Sequence, residues 1–515
     1  MSFQGTLRPY QEEAKYQMVN RGQMLLGMVM GAGKTPTTIA ATEELADDGE
    51  ITRCLIIVPS SLKYQWKKEL AKFAPRASVA VIDGSKARRE KQWRLSISSR
   101  YVICNAESLL KDEKKVGKYD AVVVDEATII KTRNVKRSRL IKRLGKKVLY
   151  RFALTGQPIE NRPEELFSIM EFVDRDVLGN FQTFDNTFIV RDHWGKPVRY
   201  RNLDVMNNAL EDVLIRKTYD DIKDQLPDII KQVIAVPFDA KGAKVYNRIS
   251  DDLLDKLGAA IRKGGGGFNL WAHYNGGEDA QAQGEIMTRL TTLRMICDNP
   301  KLVRLSAANF DNPHIKAGSQ YASTIVQEGW LTDVKATPKL DVCLEYIEEV
   351  LTEDPKNKVV LFSFFKANLA LLELKLAAKG FESVPFMGGM TSKEKDESKE
   401  EFASNPDCRV FLSSDAGGYG VDLPMANYLI SYDLPWSSGK LEQREARIIR
   451  LSSEFPHVTI ATFVMEGSIE ERQYEMLQHK KNVNEAFIDG RHQDVQKGMD
   501  VDVDSLTTFL RESRV

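Results

Sequence analysis

Residues Gly27 to Thr35 read GMVMGAGKT and lie between a short apolar run, Met24 to Leu26, and a segment that can continue as a helix. Because Gly31 and Gly33 carry no side chain, backbone N–H groups there can close around phosphate oxygens, and the following helix adds the positive end of its dipole. Met28 stands where the full pattern has its first glycine. Taken alone, the stretch predicts a phosphate-binding loop but leaves open a simple glycine turn.

Two side chains at the end of this loop have the chemistry that phosphate binding requires. Lys34 would reach the terminal phosphates with its ammonium group, and the Thr35 hydroxyl would take one position on Mg²⁺. The predicted nucleotide cradle is therefore Gly31, Ala32, Gly33, Lys34 and Thr35.

A second motif, YDAVVVDEATIIK from Tyr119 to Lys131, places two acids after an apolar strand. The strand would deliver Asp125 and Glu126 to the sheet edge at which the phosphate loop also ends. Asp125 would hold Mg²⁺ through water, and Glu126 would orient or deprotonate an attacking water. Two acids after a strand can also be a plain helix N-terminus. Their position about 90 residues after the loop favours the nucleotide site.

The composition bounds the remaining possibilities. A chain of 515 residues holds about three domains at roughly 150 residues each. Lys plus Arg and Asp plus Glu both number 73, so nucleic-acid binding would need local patches. The five cysteines are scattered, which argues against zinc and disulfides and favours a reducing, intracellular setting. The N-terminus shows no signal segment, and no apolar run reaches membrane-spanning length.

Polar residues follow several predicted strands, where a parallel sheet binds its ligands. Their positions are Ser60, Ser61, Lys63, Asn105, Thr155 and Gly156 in the first half, and Gly388 and Ser414 in the second.

The segment from Lys131 to Lys147 is the most basic stretch, with nine Lys or Arg residues and no acid. A charge run is usually a solvated helix face, yet this one leaves the acidic strand directly and could lie against a phosphate backbone. The sequence favours neither interpretation over the other.

Strands and helices alternate in two blocks, one in each half, which predicts two parallel doubly wound sheets. The second half has no phosphate loop, but Gln443, Arg447 and Arg450 follow one another at spacings of four and three, as they would on one helix face. The two arginines could approach a γ-phosphate held by the first half and stabilise developing charge. An interdomain salt-bridge face is the alternative. Gln11, near the N-terminus, has an amide that can match the edge of adenine.

The ordered motifs LRPYQ, GAGKT, IIVPSSLKYQW, DEAT and LTGQPIENRPEELFSIMEF resemble those of superfamily 2 helicases, and more narrowly those of the SWI/SNF-type DNA translocase family. In the second half, DAGGYGVDL and QREARIIR are similar to the family's last motifs. The resemblance implies an α/β fold of two RecA-like doubly wound parallel-sheet lobes of the P-loop NTPase type, with helical insertions. The implied domains are an N-terminal ATP-binding lobe at 1–215, with a helical insertion at about 163–215, and a C-terminal helicase lobe with a C-terminal brace at 336–515. Between them, residues 216–335 would form the inter-lobe junction and a helical insertion with a Gly-rich loop.

The resemblance also implies roles. ATP and Mg²⁺ would be the cofactors, with Thr35 and Asp125 at the metal and Lys34, Asp125, Glu126, Arg447 and Arg450 catalytic. Gln11, Gly420, Asp422 and Gln443 would join the phosphate loop in binding ATP, and the residues at the strand ends would contact nucleic acid. The sequence departs from the family's pattern at Thr128, Gln157, Asp422 and the segment 450–453, where Asp422 stands for the usual asparagine.

The expected protein is thus a monomeric motor on double-stranded DNA, bacterial or viral in origin, in the cytoplasm or nucleoid and without a membrane segment. A strand-separating helicase on forked DNA, an RNA-tracking enzyme and a nucleotide-gated binding module without hydrolysis are the alternatives.

Overall fold

Sixteen strands are found among the residues that the computed structural model describes, which are 2–159, 162–193, 197–262, 280–315, 317–415, 421–488, 495–496, 503–512 and 515. In chain order they are β1 (Gln23–Met28), β2 (Cys54–Ile57), β3 (Val79–Val81), β4 (Tyr101–Cys104), β5 (Ala121–Asp125), β6 (Tyr150–Leu154), β7 (Ile189–Arg191), β8 (Pro197–Tyr200), β9 (Leu214–Lys217), β10 (Asp228–Val236), β11 (Val359–Phe362), β12 (Glu382–Phe386), β13 (Cys408–Ser413), β14 (Tyr428–Ser431), β15 (His457–Met465) and β16 (Val495–Gln496).

The α-helices of the same residues are α1 (Pro9–Arg21), α2 (Lys34–Asp47), α3 (Lys63–Phe73), α4 (Lys86–Leu95), α5 (Ala106–Lys111), α6 (Lys136–Gly145), α7 (Pro163–Val173), α8 (Phe181–Phe188), α9 (Leu203–Leu210), α10 (Tyr219–Ile222), α11 (Ala240–Arg262), α12 (Ala280–Asp298), α13 (Pro300–Asp311), α14 (Gln320–Gln327), α15 (Pro338–Glu353), α16 (Lys366–Ala378), α17 (Ser392–Ser404), α18 (Ser438–Glu445), α19 (Ile469–Ile488) and α20 (Val503–Glu512). Residues 263–279, which hold most of the predicted Gly-rich loop, lie outside the described part.

The strands form two large parallel sheets. The first has seven strands in the order β3-β4-β2-β5-β6-β1-β9, and the second has six in the order β10-β15-β14-β11-β13-β12. Successive residues of β1 belong to hydrophobic cores on opposite faces of the first sheet. Leu25 is in one core with Leu55, and Leu26 is in the other with Ile56. Both faces of the first sheet are therefore covered, as a parallel sheet requires. We call the first sheet with its helices the first lobe and the second sheet with its helices the second lobe, and this architecture confirms the predicted fold class.

The insertions lie where chain segments leave the sheets. Helices α7 to α9 connect β6 to β9, and β8 pairs with both β7 and the short β16 in a separate antiparallel sheet. Helices α11 to α14 lie between β10 and α15. Strand β10, which the sequence placed in the junction 216–335, pairs with β15 and so extends the second sheet.

A buried ion pair fixes the second insertion to its lobe. The Lys339 ammonium on α15 lies 2.8 Å from Asp298 on α12 and 2.6 Å from Glu470 on α19. Burial alone would lower the pKa of Lys339, but the two carboxylates outweigh it and raise this pKa. Because separating these groups would leave an uncompensated buried charge, the ion pairs favour one arrangement of α12, α15 and α19 relative to each other.

The last helix completes this insertion. Leu510 of α20 is buried in the core that α11 and α12 share, and Asn247 of α11 donates a hydrogen bond of 2.7 Å to the carbonyl of Val515. Among the described residues, no helix combines the length and the apolar character that crossing a membrane requires.

Candidate active site

The loop between β1 and α2 leaves no space for side chains at its two central glycines. Gly31 and Gly33 have φ values of +83° and +78°, which L side chains rarely adopt. A Cβ atom at Gly33 would lie 2.2 Å from the amide nitrogen of Gln11. The backbone therefore turns tightly enough to present N–H groups to an anion at the start of α2.

Helix α1 holds this loop in place. The Tyr10 hydroxyl and the Gln11 amide both donate hydrogen bonds of 3.0 Å to the carbonyl of Ala32. The Gln11 carbonyl oxygen accepts a bond of 2.9 Å from the backbone of Arg8. Gln11 thus lies at the phosphate loop, and an adenine contact by this residue stays a prediction.

Lys34 begins α2 and folds back over the loop. Its ammonium donates hydrogen bonds of 3.0 Å and 3.4 Å to the carbonyls of Met28 and Val29. Burial lowers the pKa of Lys34, and the positive charges of Arg450 and Arg216 lower it further, while Glu126 and Asp125 oppose the change. The lysine therefore lies within the electrostatic reach of both predicted acids and of an arginine from the second lobe.

Asp125 ends β5 as a buried carboxylate with defined partners. Its two oxygens accept hydrogen bonds of 2.7 Å from the Trp66 indole and 2.9 Å from the Glu126 backbone. Burial raises the pKa of Asp125, while the Trp66 bond and the Lys34 charge act against this rise. Nothing in the local sequence indicates that the Trp66 indole N–H meets a carboxylate 59 residues away.

Glu126 adopts the left-handed backbone region, with φ of +49° and ψ of +62°. Residues with side chains rarely occupy this region, and such strain is concentrated at functional sites. The turn directs the chain away from β5 immediately after Asp125, so both acids stay at the edge of the first sheet. The catalytic and metal roles of Lys34, Thr35, Asp125 and Glu126 remain predictions that this geometry allows.

The second lobe brings Arg450 to the phosphate loop, but Arg447 and Arg450 do not lie on one helix face with Gln443. Helix α18 carries Gln443 and ends at Glu445, so Arg447 lies in the following turn and Arg450 beyond it. The predicted shared helix face is therefore wrong. A Cβ at Gly31 would lie 2.7 Å from the Ile449 carbonyl oxygen and 3.5 Å from Cδ of Arg450. The two lobes thus meet at the phosphate loop.

Two further arginines form hydrogen bonds that the sequence does not indicate, Arg216 at the phosphate loop and Arg444 within the second lobe. Arg216, at the end of β9, donates hydrogen bonds of 2.9 Å and 3.2 Å to the carbonyls of Gly27 and Gly156. Arg444 is buried on α18 and donates to the Asp415 carboxylate at 2.6 Å and to the Asp433 carbonyl at 2.5 Å. Both join segments that are distant in the chain, so motif spacing could not find them.

The predicted nucleic-acid residues divide into exposed and buried groups. Ser60 and Ser61 are exposed in the 3-10 helix after β2, and Gly388 is half-buried after β12. Lys63 is only 2% exposed, and its ammonium pairs with Asp83 at 2.5 Å. The side chains of Asn105, Thr155 and Ser414 are likewise buried.

The side chains of the buried group form hydrogen bonds at the strand ends of the two sheets. Asn105 donates to the Glu107 carboxylate, Thr155 bonds with Gln157, and the Ser414 hydroxyl accepts from the Gly388 backbone. The side chains of Lys63, Asn105, Thr155 and Ser414 are thus buried at the strand ends, and a contact of these residues with nucleic acid stays a prediction. Their physical role is to satisfy buried polar groups and shape the strand ends. Gly156 packs against Met30 of the phosphate loop. Gly420 lies outside the described residues.

The basic segment also divides. Four of its nine cations pair with acids: Lys131 with Glu165, Arg133 and Lys142 with Glu171, and Arg143 with Glu113. Lys136, Arg137 and Arg139 are exposed on α6 and form no ion pair with a described residue. We call these three residues the α6 basic face.

Two known sequence families match successive parts of the chain. The SNF2-related domain matches residues 10–302, and the helicase conserved C-terminal domain matches residues 339–452. The putative ATP-dependent helicase/translocase YwqA of Bacillus subtilis is 27% identical over 500 residues, which cover 95% of this chain and 49% of YwqA. The human DNA annealing helicase and endonuclease ZRANB3 is 24% identical over 507 residues, covering 95% of this chain and 41% of that protein.

Among solved structures, the Hef helicase domain of Pyrococcus furiosus has the same fold, with a TM-score of 0.54, 14% identity, and coverage of 91% of this chain and 97% of that domain. The chain spans about half the length of YwqA and less than half of ZRANB3. The first domain match alone covers more than half of the chain, and its boundaries enclose the phosphate loop, Asp125 and Glu126. The chain therefore belongs to the SNF2-related, SWI/SNF-type family of superfamily 2 helicases.

Proposed function

We propose that this protein is an ATPase motor that hydrolyses ATP between its two lobes and moves along duplex DNA. The observation that carries the proposal is the approach of Arg450, from the second lobe, to Gly31 and Lys34 of the first. A site divided in this way can be complete only when the lobes are together, so each hydrolysis cycle can be coupled to relative movement of the lobes. We further propose that the chain acts as a monomer, inside the cell, with the domains 1–215, 216–335 and 336–515.

The site fits ATP and Mg²⁺ by its shape and its donor chemistry. The glycine cradle excludes side chains where phosphates would lie, and hydroxyl and carboxylate oxygens such as those of Thr35 and Asp125 are the ligands that Mg²⁺ prefers. Bound ATP would supply a phosphoanhydride bond for hydrolysis. Lys34 would neutralise phosphate charge, Glu126 would orient the attacking water, and Arg447 and Arg450 would stabilise charge that develops during transfer. Gln11, Asp422 and Gln443 remain candidate ATP contacts, as does Gly420.

The proposed DNA track follows the exposed polar and basic groups of the first lobe. Ser60 and Ser61 lie after β2, and the α6 basic face adds three positive charges close in sequence to Asp125. ZRANB3 is named as acting on DNA and YwqA as a helicase or translocase, which supports DNA as the substrate here. Remodelling of protein–DNA complexes would follow from movement along the duplex.

Neutralising the α6 basic face should weaken DNA binding without sequence preference. In the triple variant Lys136→Gln, Arg137→Gln and Arg139→Gln, we expect the slope of log affinity against log salt to fall by roughly one unit for each phosphate that the variant no longer neutralises. Fluorescence anisotropy of a labelled duplex at several salt concentrations measures this slope.

The matched control changes three exposed cations on another helix, Lys86→Gln, Arg88→Gln and Lys91→Gln on α4. This control should keep the wild-type slope. If the α6 variant has the same slope as wild type, the basic face is only solvated and the DNA track lies elsewhere.

The motor itself is tested by comparing tracks. ATPase should rise more with duplex DNA than with single-stranded DNA, forked DNA or RNA, and ATP should drive displacement of a third strand from a triplex built on a duplex. These results would follow because the enzyme would bind and move along the duplex without opening it. Unwinding of forks without triplex displacement would instead favour a strand-separating helicase. DNA binding with no ATP turnover would favour a nucleotide-gated binding module.

A further inference from the structure

One short segment of the second lobe, Val421 to Leu423, contacts both Arg447 and Arg450, of which Arg450 approaches the phosphate loop. The Arg447 guanidinium donates a hydrogen bond of 3.2 Å to the carbonyl of Val421, and the carbonyl of Arg447 accepts one of 2.9 Å from the backbone of Leu423. Between these two contacts, the Asp422 carboxylate forms an ion pair with Nη2 of Arg450. The segment therefore holds Arg447 by its backbone and Arg450 by a side chain.

Arg450 needs such a partner because of where it lies. Its side chain is 16% exposed and lies beside Gly31, and its positive charge acts on Lys34, as does that of Arg216. Like charges that are partly removed from water repel each other strongly, so an arginine at this place would tend to turn away unless an anion held it. The Asp422 carboxylate provides that negative charge.

The pairing leaves donors for a ligand. A guanidinium has five N–H groups in a fixed planar fork. Asp422 contacts Nη2, whereas Nε of Arg450 is buried and has no hydrogen-bond partner among the described residues. A carboxylate that contacts one corner of the fork fixes its plane while other N–H groups stay available to a phosphate.

Asp422 itself is 40% exposed, and Glu69 of the first lobe lies within its electrostatic reach. Burial raises the pKa of Glu69, Lys72 opposes this, and the negative charge of Asp422 adds to the rise. Asp422 thus lies at the boundary between the lobes. Because it is not part of a core, a substitution there should leave the fold intact.

We propose that Asp422 is a positioning residue, which holds the Arg450 guanidinium against the phosphate loop so that the arginine is in place when the phosphates arrive. This inference rests on the proposed ATPase function and changes the role of Asp422 from an ATP contact to a contact of Arg450. Asp422 then acts on the rate of phosphoryl transfer through Arg450, because a preoriented donor needs no rearrangement in the transition state.

The test uses the full chain and measures kcat and KM for ATP with saturating duplex DNA. For Asp422→Ala we expect kcat to fall about 10- to 100-fold, the cost of a misplaced transition-state group, with KM within about twofold. Asp422→Asn should recover only part of kcat, because its amide oxygen can still accept a hydrogen bond from Arg450 although the negative charge is lost. Asp422→Ala combined with Arg450→Ala should be no slower than Arg450→Ala alone, because both changes remove one interaction.

The control is Asp396→Asn, which changes another aspartate of the second lobe whose pair with Lys68 spans 3.8 Å between largely exposed side chains. Such a pair contributes little, so this variant should keep wild-type kinetics. A rise in KM at constant kcat in Asp422→Ala would show that Asp422 contacts ATP and overturn the proposal. An unchanged or faster Asp422→Ala, an Asn variant as slow as the Ala variant, or additive losses in the double variant would overturn it as well.

Failure of the proposed function is distinguishable from these outcomes. If Arg450→Ala keeps the full DNA-stimulated rate, then the two-lobe site is wrong and Asp422 has no catalytic group to position. If Arg450→Ala is inactive while Asp422→Ala is normal, the ATPase site stands and only the positioning role is refuted.

Discussion

Lys34→Ala should reduce ATP turnover about 10²- to 10³-fold, the loss seen when a preorganised donor to a developing negative charge is removed. Lys34 is the first residue of α2, and its ammonium lies within electrostatic reach of Asp125, Glu126 and Arg450. An alanine there removes the cation that would balance the β- and γ-phosphates. Steady-state phosphate release with saturating duplex DNA measures the effect.

The fold should survive this change. The hydrogen bonds of the Lys34 side chain go to the carbonyls of Met28 and Val29, and the residue is not part of a hydrophobic core. Circular dichroism and the thermal midpoint should therefore match wild type. The matched control is Lys68→Ala, an exposed lysine of the same lobe whose removal should leave turnover unchanged. A Lys34→Ala protein that turns over ATP at the wild-type rate would refute this active site.

The parts of the site that the sequence predicts well are those that depend on local chain geometry. Gly31 and Gly33 have the positive φ values that the motif suggests, and β5 delivers Asp125 to the sheet edge because an unbroken apolar run is buried on both faces of a parallel sheet. In these places the residue type itself determines the backbone. A family resemblance carried by such motifs therefore indicates the architecture correctly.

The parts that the sequence misses depend on partners far along the chain. Trp66 looks apolar until its indole meets Asp125, and Lys63 looks like a free cation until it pairs with Asp83. The spacing of Gln443, Arg447 and Arg450 is compatible with one helix, yet α18 ends at Glu445. Beyond Glu445 the carbonyl of Arg447 accepts a hydrogen bond from the backbone of Leu423, which is distant in the chain. The spacing of residues in the sequence does not show whether a backbone group will bond within a helix or with a distant segment.

The second large effect concerns the arginines that the second lobe contributes. Arg447→Ala and Arg450→Ala should each abolish most of the DNA-stimulated ATPase, because an arginine that stabilises phosphoryl transfer is worth about 10³- to 10⁵-fold in rate. Affinity for ATP should change little, since the phosphate loop, Lys34 and Asp125 all belong to the first lobe. Steady-state kinetics and equilibrium binding of a fluorescent ATP analogue separate the two quantities.

Arg447 needs an added comparison, because it is buried and bonds to Val421, so an alanine there could loosen the second lobe. Arg447→Lys keeps the charge and most of the volume but loses the planar fork, and it should remain folded yet slow. Lys440→Ala, which removes an exposed cation from the same helix as Gln443, should keep full activity.

These variants also test the link between hydrolysis and movement. If closure of the lobes on ATP drives each step, then both arginine variants must lose triplex displacement along with hydrolysis, while their affinity for duplex DNA in the absence of nucleotide stays at the wild-type value. A variant that keeps full DNA stimulation would show that the second lobe does not complete the site. A variant that hydrolyses ATP normally but no longer displaces the third strand would place the arginine in coupling instead of catalysis. The approach of Arg450 to Gly31 favours a role in catalysis over a role in coupling, because a guanidinium so close to the phosphate loop would lie next to the phosphates of bound ATP.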